Sequence, residues 1–126
     1  MKYLMLTYLD EKAWMALTDA QRQAAMADCE PHTRQLLQSG KLLSGAPLHP
    51  TSTATCVRVR SGKRLVTDGP YAETREQLGG YSLIEARDLD EAIEVAAAYF
   101  SAHSICDTLT VEVRPVVETA PRAQAK

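Results

Sequence analysis

No apolar run in these 126 residues approaches the ~20 needed to span a bilayer, which excludes a helical membrane anchor. Basic residues form no block. With 14 Lys and Arg against 16 Asp and Glu, and a net charge of −2, the counterion release that drives nucleic-acid binding is weak. Cys29, Cys56 and Cys106 are odd in number and widely spaced. They make neither a disulfide framework nor a C-x-x-C metal half-site, and read as buried free thiols in a reducing compartment. His32, His49 and His103 share no metal-ligand spacing, so no metal is expected. Gly79-Gly80 sits in neither a G-x-G-x-x-G nor a Walker pattern, and no G-x-S-x-G elbow occurs. No cofactor is expected. No internal repeat and no dividing linker is present. The first residues, Met1-Lys2-Tyr3-Leu4-Met5-Leu6-Thr7-Tyr8, read as a strand rather than a signal peptide, so the expected compartment is the cytoplasm.

What is present suits one soluble domain of ordinary composition, 45% hydrophobic and 24% charged. Residues 2–9 are β-rich. Thr18-Asp19-Ala20-Gln21 is a capping-box pattern that starts a helix over 19–39, with Met26, Cys29, Thr33, Leu36 and Leu37 on one side and Gly40 as its stop. Pro31 removes a donor inside that helix and predicts a kink or a split near Glu30. Residues 41–48 make a second strand. Residues 53–67 read as a β-hairpin turning at Ser61-Gly62-Lys63. A strand over 79–85 follows, with the two glycines allowing a bulge or close strand approach. Asp88-Leu89-Asp90-Glu91 is a second capping box, and Ala92, Ile93, Ala96, Ala97 and Phe100 form the stripe of the helix it starts. Residues 108–117 are the last strand. The domain spans 1–117, and 118–126 form a loose polar tail.

Without its hairpin this order is βαββαβ. It predicts an α+β, ferredoxin-like antiparallel sheet with two helices on one face. The other face needs cover, and a second subunit is its natural source, so a homodimer is expected.

The densest chemistry lies in Thr67-Asp68-Gly69-Pro70-Tyr71-Ala72-Glu73-Thr74-Arg75-Glu76-Gln77-Leu78-Gly79-Gly80-Tyr81. The Asp-Gly-Pro turn is stiff, and stiff loops aim side chains. Asp68, Glu73 and Glu76 lie within nine residues. Two of them converging on a dry pocket would raise one carboxyl pKa and make an acid or base. Against this, Asp68 would serve its own turn and the glutamates a solvated surface. His49, between Leu48 and Pro50, is the best-placed histidine for proton transfer, or a loop histidine bonded to backbone. Arg58 and Arg60 share a hairpin face, where they would hold a small anion or simply meet solvent. Tyr71, Glu73 and Tyr81 complete the candidate ligand contacts. Trp14 either covers the core or edges the pocket.

This segment closely resembles the Asp-Gly-Pro-Phe signature of the YCII-related, or DGPF-domain, proteins, with Tyr71 where the name places Phe. The resemblance extends from Met1 to about Val116 through Gly40-Lys41-Leu42-Leu43-Ser44-Gly45, Leu48-His49-Pro50 and Val111-Glu112-Val113-Arg114-Pro115-Val116. It implies a dimeric α+β barrel with a pocket between sheet and helices. It also implies a His on the first helix and an Asp near the end of the second as a catalytic pair. Those positions fall at Cys29 and near Phe100, so the pair is lacking here. Two functions are expected. One is a cofactor-free isomerase or lyase using Asp68 or His49 as base, with Arg58 orienting an anionic substrate. The other, implied by relatives associated with sigma-factor systems, is a non-catalytic ligand-binding or regulatory module.

Overall fold

A computed structural model describes residues 1–101 and 109–118. Readings that concern Cys106, His103, Thr108 and residues 119–126 lie outside this range. In chain order the elements are β1 (Lys2–Leu9), α1 (Glu11–Ala16), α2 (Asp19–Gln38), β2 (Leu42–Pro47), a 3₁₀ turn (Thr51–Thr53), β3 (Thr55–Arg60), β4 (Lys63–Asp68), β5 (Gln77–Glu85), α3 (Leu89–Ser101) and β6 (Leu109–Pro115).

Local signals place most boundaries. The Thr18 hydroxyl accepts from the Gln21 amide at 3.1 Å, and the Gln21 side chain accepts from the Thr18 amide at 2.8 Å. This closes the capping box that starts α2. At the other end Gly40 has φ +78°, and the amides of Gly40 and Lys41 return to the carbonyls of Leu37 and Leu36. That is a Schellman stop, which only a residue without Cβ takes easily. The second box forms differently from the expectation. Asp88 does accept from the Glu91 amide at 2.9 Å, but the Glu91 carboxylate reaches back to the amide of Arg87. The two-residue turn between β3 and β4, Ser61-Gly62, has φ +51° and +75°, as a type I′ hairpin requires.

Pro31 does not split α2, which runs uninterrupted from Asp19 to Gln38. Pro31 and Ala27, whose carbonyl lacks its donor, are both exposed, so that carbonyl is open to solvent rather than buried without a partner. The helix α1 was not anticipated. Asp10 caps it, accepting from the amides of Lys12 and Ala13. Arg22 then fastens α1 to α2: one guanidinium nitrogen donates to the carbonyls of Leu17 (2.6 Å), Met15 (3.2 Å) and Trp14 (3.4 Å), and the other pairs with Asp19.

The main sheet has strand order β2-β5-β1-β6, with every neighbouring pair antiparallel. This is the ferredoxin-like plan. Its core lies between the sheet and helices α2 and α3. It gathers Tyr3 and Met5 from β1, Leu42 from β2, Ile84 from β5 and Ala92, Val95 and Ala96 from α3, with Leu36, Val111 and Val113 packed against them. Full burial of side chains such as Met5 and Ile84 stabilises by about 1.5–3 kcal/mol each. The stripes of both helices sit differently from the sequence reading. In α2, Ala25 is buried while Met26 and Leu37 are exposed. In α3, Val95 replaces Ile93 in the core.

Alternate strand residues, Leu4, Leu6 and Leu83, occupy the sheet face away from the helices. On that face the Tyr8 hydroxyl donates to Glu112 at 3.2 Å. Desolvation, then this bond, hold the phenol pKa above its ordinary value. The β3–β4 ribbon forms a separate two-stranded sheet, paired with no other strand among the described residues. No described helix is long and apolar enough to cross a membrane.

Candidate functional site

Beneath the helices the sheet does not close fully. A cleft of about 700 Å³ opens between its β2–β5–β1 edge, α1, α2 and the end of α3. That is the size of a small-molecule site. Its making depends on small residues in the strands. A Cβ on Gly45 of β2 would lie 2.7 Å from the Tyr81 carbonyl, so glycine there lets the edge strand approach β5. On β5 the register with β1 slips between Thr7 and Tyr8, opposite Gly80 and Leu78, leaving Gly79 as the bulge residue. Gly79 and Gly80 line the cleft floor with Thr7 and Leu9, and a Cβ on Gly79 would collide with the Leu9 side chain.

The walls are largely apolar. Trp14 and Met15 come from α1, Ala25 and Met26 from α2, Leu48 and Pro50 from the segment after β2, and Phe100 from α3. A few polar groups interrupt them. The Glu11 carboxylate, at the start of α1, accepts from the Thr51 amide (2.9 Å) and the Thr51 hydroxyl (2.5 Å). The Glu11 amide donates to the Gln77 side chain at 2.9 Å. Three segments far apart in sequence therefore meet at one residue, and the remaining lone pairs of its carboxylate stay available to a ligand. Deeper in, the hydroxyls of Thr33 and Tyr99 lie 3.0 Å apart, and Thr33 also donates to the Cys29 carbonyl. The Cys29 thiol donates to the Ala25 carbonyl at 3.2 Å. Lys12 is the cation on the rim.

Of the residues the sequence singles out, Tyr81 and Trp14 line this cleft. Cys29 and Phe100, where the resemblance would put a His and an Asp, line it too. Asp68, His49, Arg58, Tyr71 and Glu73 do not. Asp68 ends β4 opposite Thr55 and is exposed. Its carboxylate receives no hydrogen bond among the described residues, so its own turn does not use it. That turn is fixed instead by the Gly69 amide donating to the Ala54 carbonyl at 2.8 Å, across a cis Gly69–Pro70 bond. His49 is exposed, although its neighbours Leu48 and Pro50 both reach the cleft. Arg58 lies 5.6 Å from the ring centre of Tyr71, itself 80% exposed, a surface cation–π contact. Glu73 is exposed, while Glu76 is half-buried and accepts from Thr110 at 3.4 Å, so the three acids share no pocket. His32 lines a smaller hollow of about 300 Å³ between α2 and α3. Among the described residues no group of three His, Cys, Asp or Glu could hold a metal.

Sequence reasoning did not find Glu11 or Thr51. Asp10 as a cap just ahead of Trp14 was the available signal for α1, and nothing local marks Thr51 as its partner.

An uncharacterised protein of Rhizobium meliloti (strain 1021) is 37% identical over 121 residues, spanning 96% of each chain. Among solved structures, the 5-chloro-2-hydroxyhydroquinone dehydrochlorinase TftG from Burkholderia phenoliruptrix AC1100, in complex with 2,5-dihydroxybenzoquinone, superposes with a TM-score of 0.50. That match covers 94% of this chain and 96% of that one at 13% identity, a likeness of fold. The model of the YCII-related domain matches residues 1–120, and with it the chain belongs to the YCII-related family.

Proposed function

We propose that the cleft binds a small, mostly apolar molecule of ring size and that the protein acts on it by proton transfer, as a cofactor-free isomerase or lyase. One observation carries this reading: the Glu11 carboxylate, fixed by Thr51, stands in the wall of an apolar cleft of about 700 Å³. A positioned carboxylate takes a proton from carbon or hydroxyl in such a setting. It returns the proton to a neighbouring atom, or the freed electron pair expels a leaving group. Glu11 is then the base, and Lys12 rather than Arg58 meets an anionic substituent. Asp68 and His49, being outside the cleft, serve only a substrate held at the surface.

The exposure of Asp68 and His49 favours a second reading, a ligand-binding or regulatory module with the same cleft and no turnover. One titration series separates the two. Trp14 is the single tryptophan and lines the cleft, so its fluorescence reports occupancy. Small hydroxylated aromatics and quinones, 2,5-dihydroxybenzoquinone among them, are expected to change it saturably, with Glu11→Gln weakening binding roughly tenfold. Exchange of carbon-bound hydrogen of the bound probe with deuterated water, lost in Glu11→Gln, marks the enzyme. Saturable binding without exchange marks the module. A flat response across the series rejects the cleft as the site.

A further inference from the structure

We propose that the hydroxyls of Thr7 and Ser82 form a polar pair on the cleft floor that selects a ring bearing two oxygens on non-adjacent carbons. The inference rests on the reading of the cleft as a ligand site and narrows what enters it. Residues two apart on a strand share a face. The register sets Tyr3 against Ile84 and Met5 against Ser82, so the face of β1 toward the helices carries Tyr3, Met5 and Thr7, and that of β5 carries Ile84 and Ser82. Tyr3, Met5 and Ile84 are buried core residues. A sheet face packed under helices is ordinarily apolar throughout. Here the next position on each strand is a hydroxyl residue, half-buried, and both line the cleft. Neither hydroxyl bonds to another described residue. The absent side chain of Gly45 leaves Ser82 open to the cleft: a Cβ there would stand 3.1 Å from the Ser82 hydroxyl oxygen.

Solvation explains why such a pair selects. A purely apolar ligand would strip water from both hydroxyls and leave them unpaired, a cost that only polar atoms placed on them offset. Spacing then sets where those atoms lie. Thr7 stands opposite Gly80, which makes Ser82 its diagonal neighbour. Diagonal pairs are about 7–8 Å apart, and both side chains rise from the same face of the pleat. Each hydroxyl reaches a ligand oxygen about 2.7–2.8 Å further on. Oxygens on adjacent ring carbons lie within hydrogen-bond reach of one another and together meet only one of the two residues. Oxygens on opposite ring carbons meet both. A hydroxyl donates and accepts, so the pair takes phenolic hydroxyls and ring carbonyls alike.

Calorimetric titration with phenol, catechol and hydroquinone, oxygen excluded, tests the pair. Hydroquinone, with its oxygens opposite, is expected to bind roughly fivefold tighter than phenol, and catechol to stay within about twofold of phenol. Ser82→Ala and Thr7→Val each delete one hydroxyl with little change of shape. Either should bring hydroquinone to within about twofold of phenol. Catechol binding as tightly as hydroquinone overturns the proposal, as does a hydroquinone advantage that neither substitution lowers. Both of those results leave the cleft standing as the ligand site, because the ring still binds. No saturable binding of any of the three removes the cleft and the pair together. Should a variant lose its circular dichroism, the wild-type ranking of the three ligands decides alone.

Discussion

The Glu11–Thr51 contact can be weighed by a double-mutant cycle. Thr51→Val keeps the shape and the backbone amide, so it removes one of two hydrogen bonds to the carboxylate, the hydroxyl bond of 2.5 Å. A hydrogen bond to a charged group contributes about 1.5–3 kcal/mol when well buried. Both residues here are only half-buried, which brings the expected loss to about 1 kcal/mol. Glu11→Ala removes both bonds and also an acid from the first turn of α1, a further cost of about 0.3–1 kcal/mol. That second effect occurs whether or not Thr51 has its hydroxyl, so it cancels from the cycle. The coupling energy from urea melts of the four proteins should be about 1 kcal/mol, with unchanged slopes. A coupling below about 0.3 kcal/mol, the ordinary scatter of independent sites, would refute the claim that Thr51 fixes the carboxylate.

Gly45→Ala should cost about 1–3 kcal/mol in the same melts, because its Cβ meets the Tyr81 carbonyl at 2.7 Å and the edge strand must give way. A loss within about 0.5 kcal/mol would show that β2 yields freely. The N-terminal ammonium sits 2.6 Å from Glu85, and that hydrogen bond raises its pKa above the ordinary 8.0. The raised value belongs to the folded state, so this contribution is complete below pH 8 and fades as pH rises through the folded pKa. Glu85→Gln should therefore flatten the stability profile just above pH 8. A profile equally steep in both proteins would remove the amine as its cause.

The fold was legible because its signals are local. A hydroxyl and a glutamine three residues apart mark the start of α2, a glycine stops it, and Ser61-Gly62 turns the ribbon. The short α1 escaped because six residues are too few to show a helical period. The stripe of α3 was right at Ala92, Ala96 and Phe100 but took Ile93 for Val95, because two β-branched residues flank Glu94 and either one satisfies the helical period. For the site, the sequence draws attention to the dense polar loop at 67–81, and most of that loop lies at the surface. The cleft draws its lining from β1, both early helices, β2, β5 and α3, and its carboxylate partner lies forty residues away. No windowed pattern holds that information.

Arg22 has a further bearing on how anything enters the cleft. Three carbonyl acceptors at the tail of α1 converge on a single side chain rooted in α2. The backbone of α1 that carries Trp14 and Met15 cannot swing outward as a unit without stripping all three from their donor. The helical wall thus behaves as one slab, and the border beyond it, where β2 runs into the prolines at 47 and 50, is held by the Leu48 amide on the Gly79 carbonyl and by Thr51 on Glu11. Traffic of ligand in and out should be governed by how readily those ties open, and Thr51→Val should speed exchange while leaving the helical wall in place.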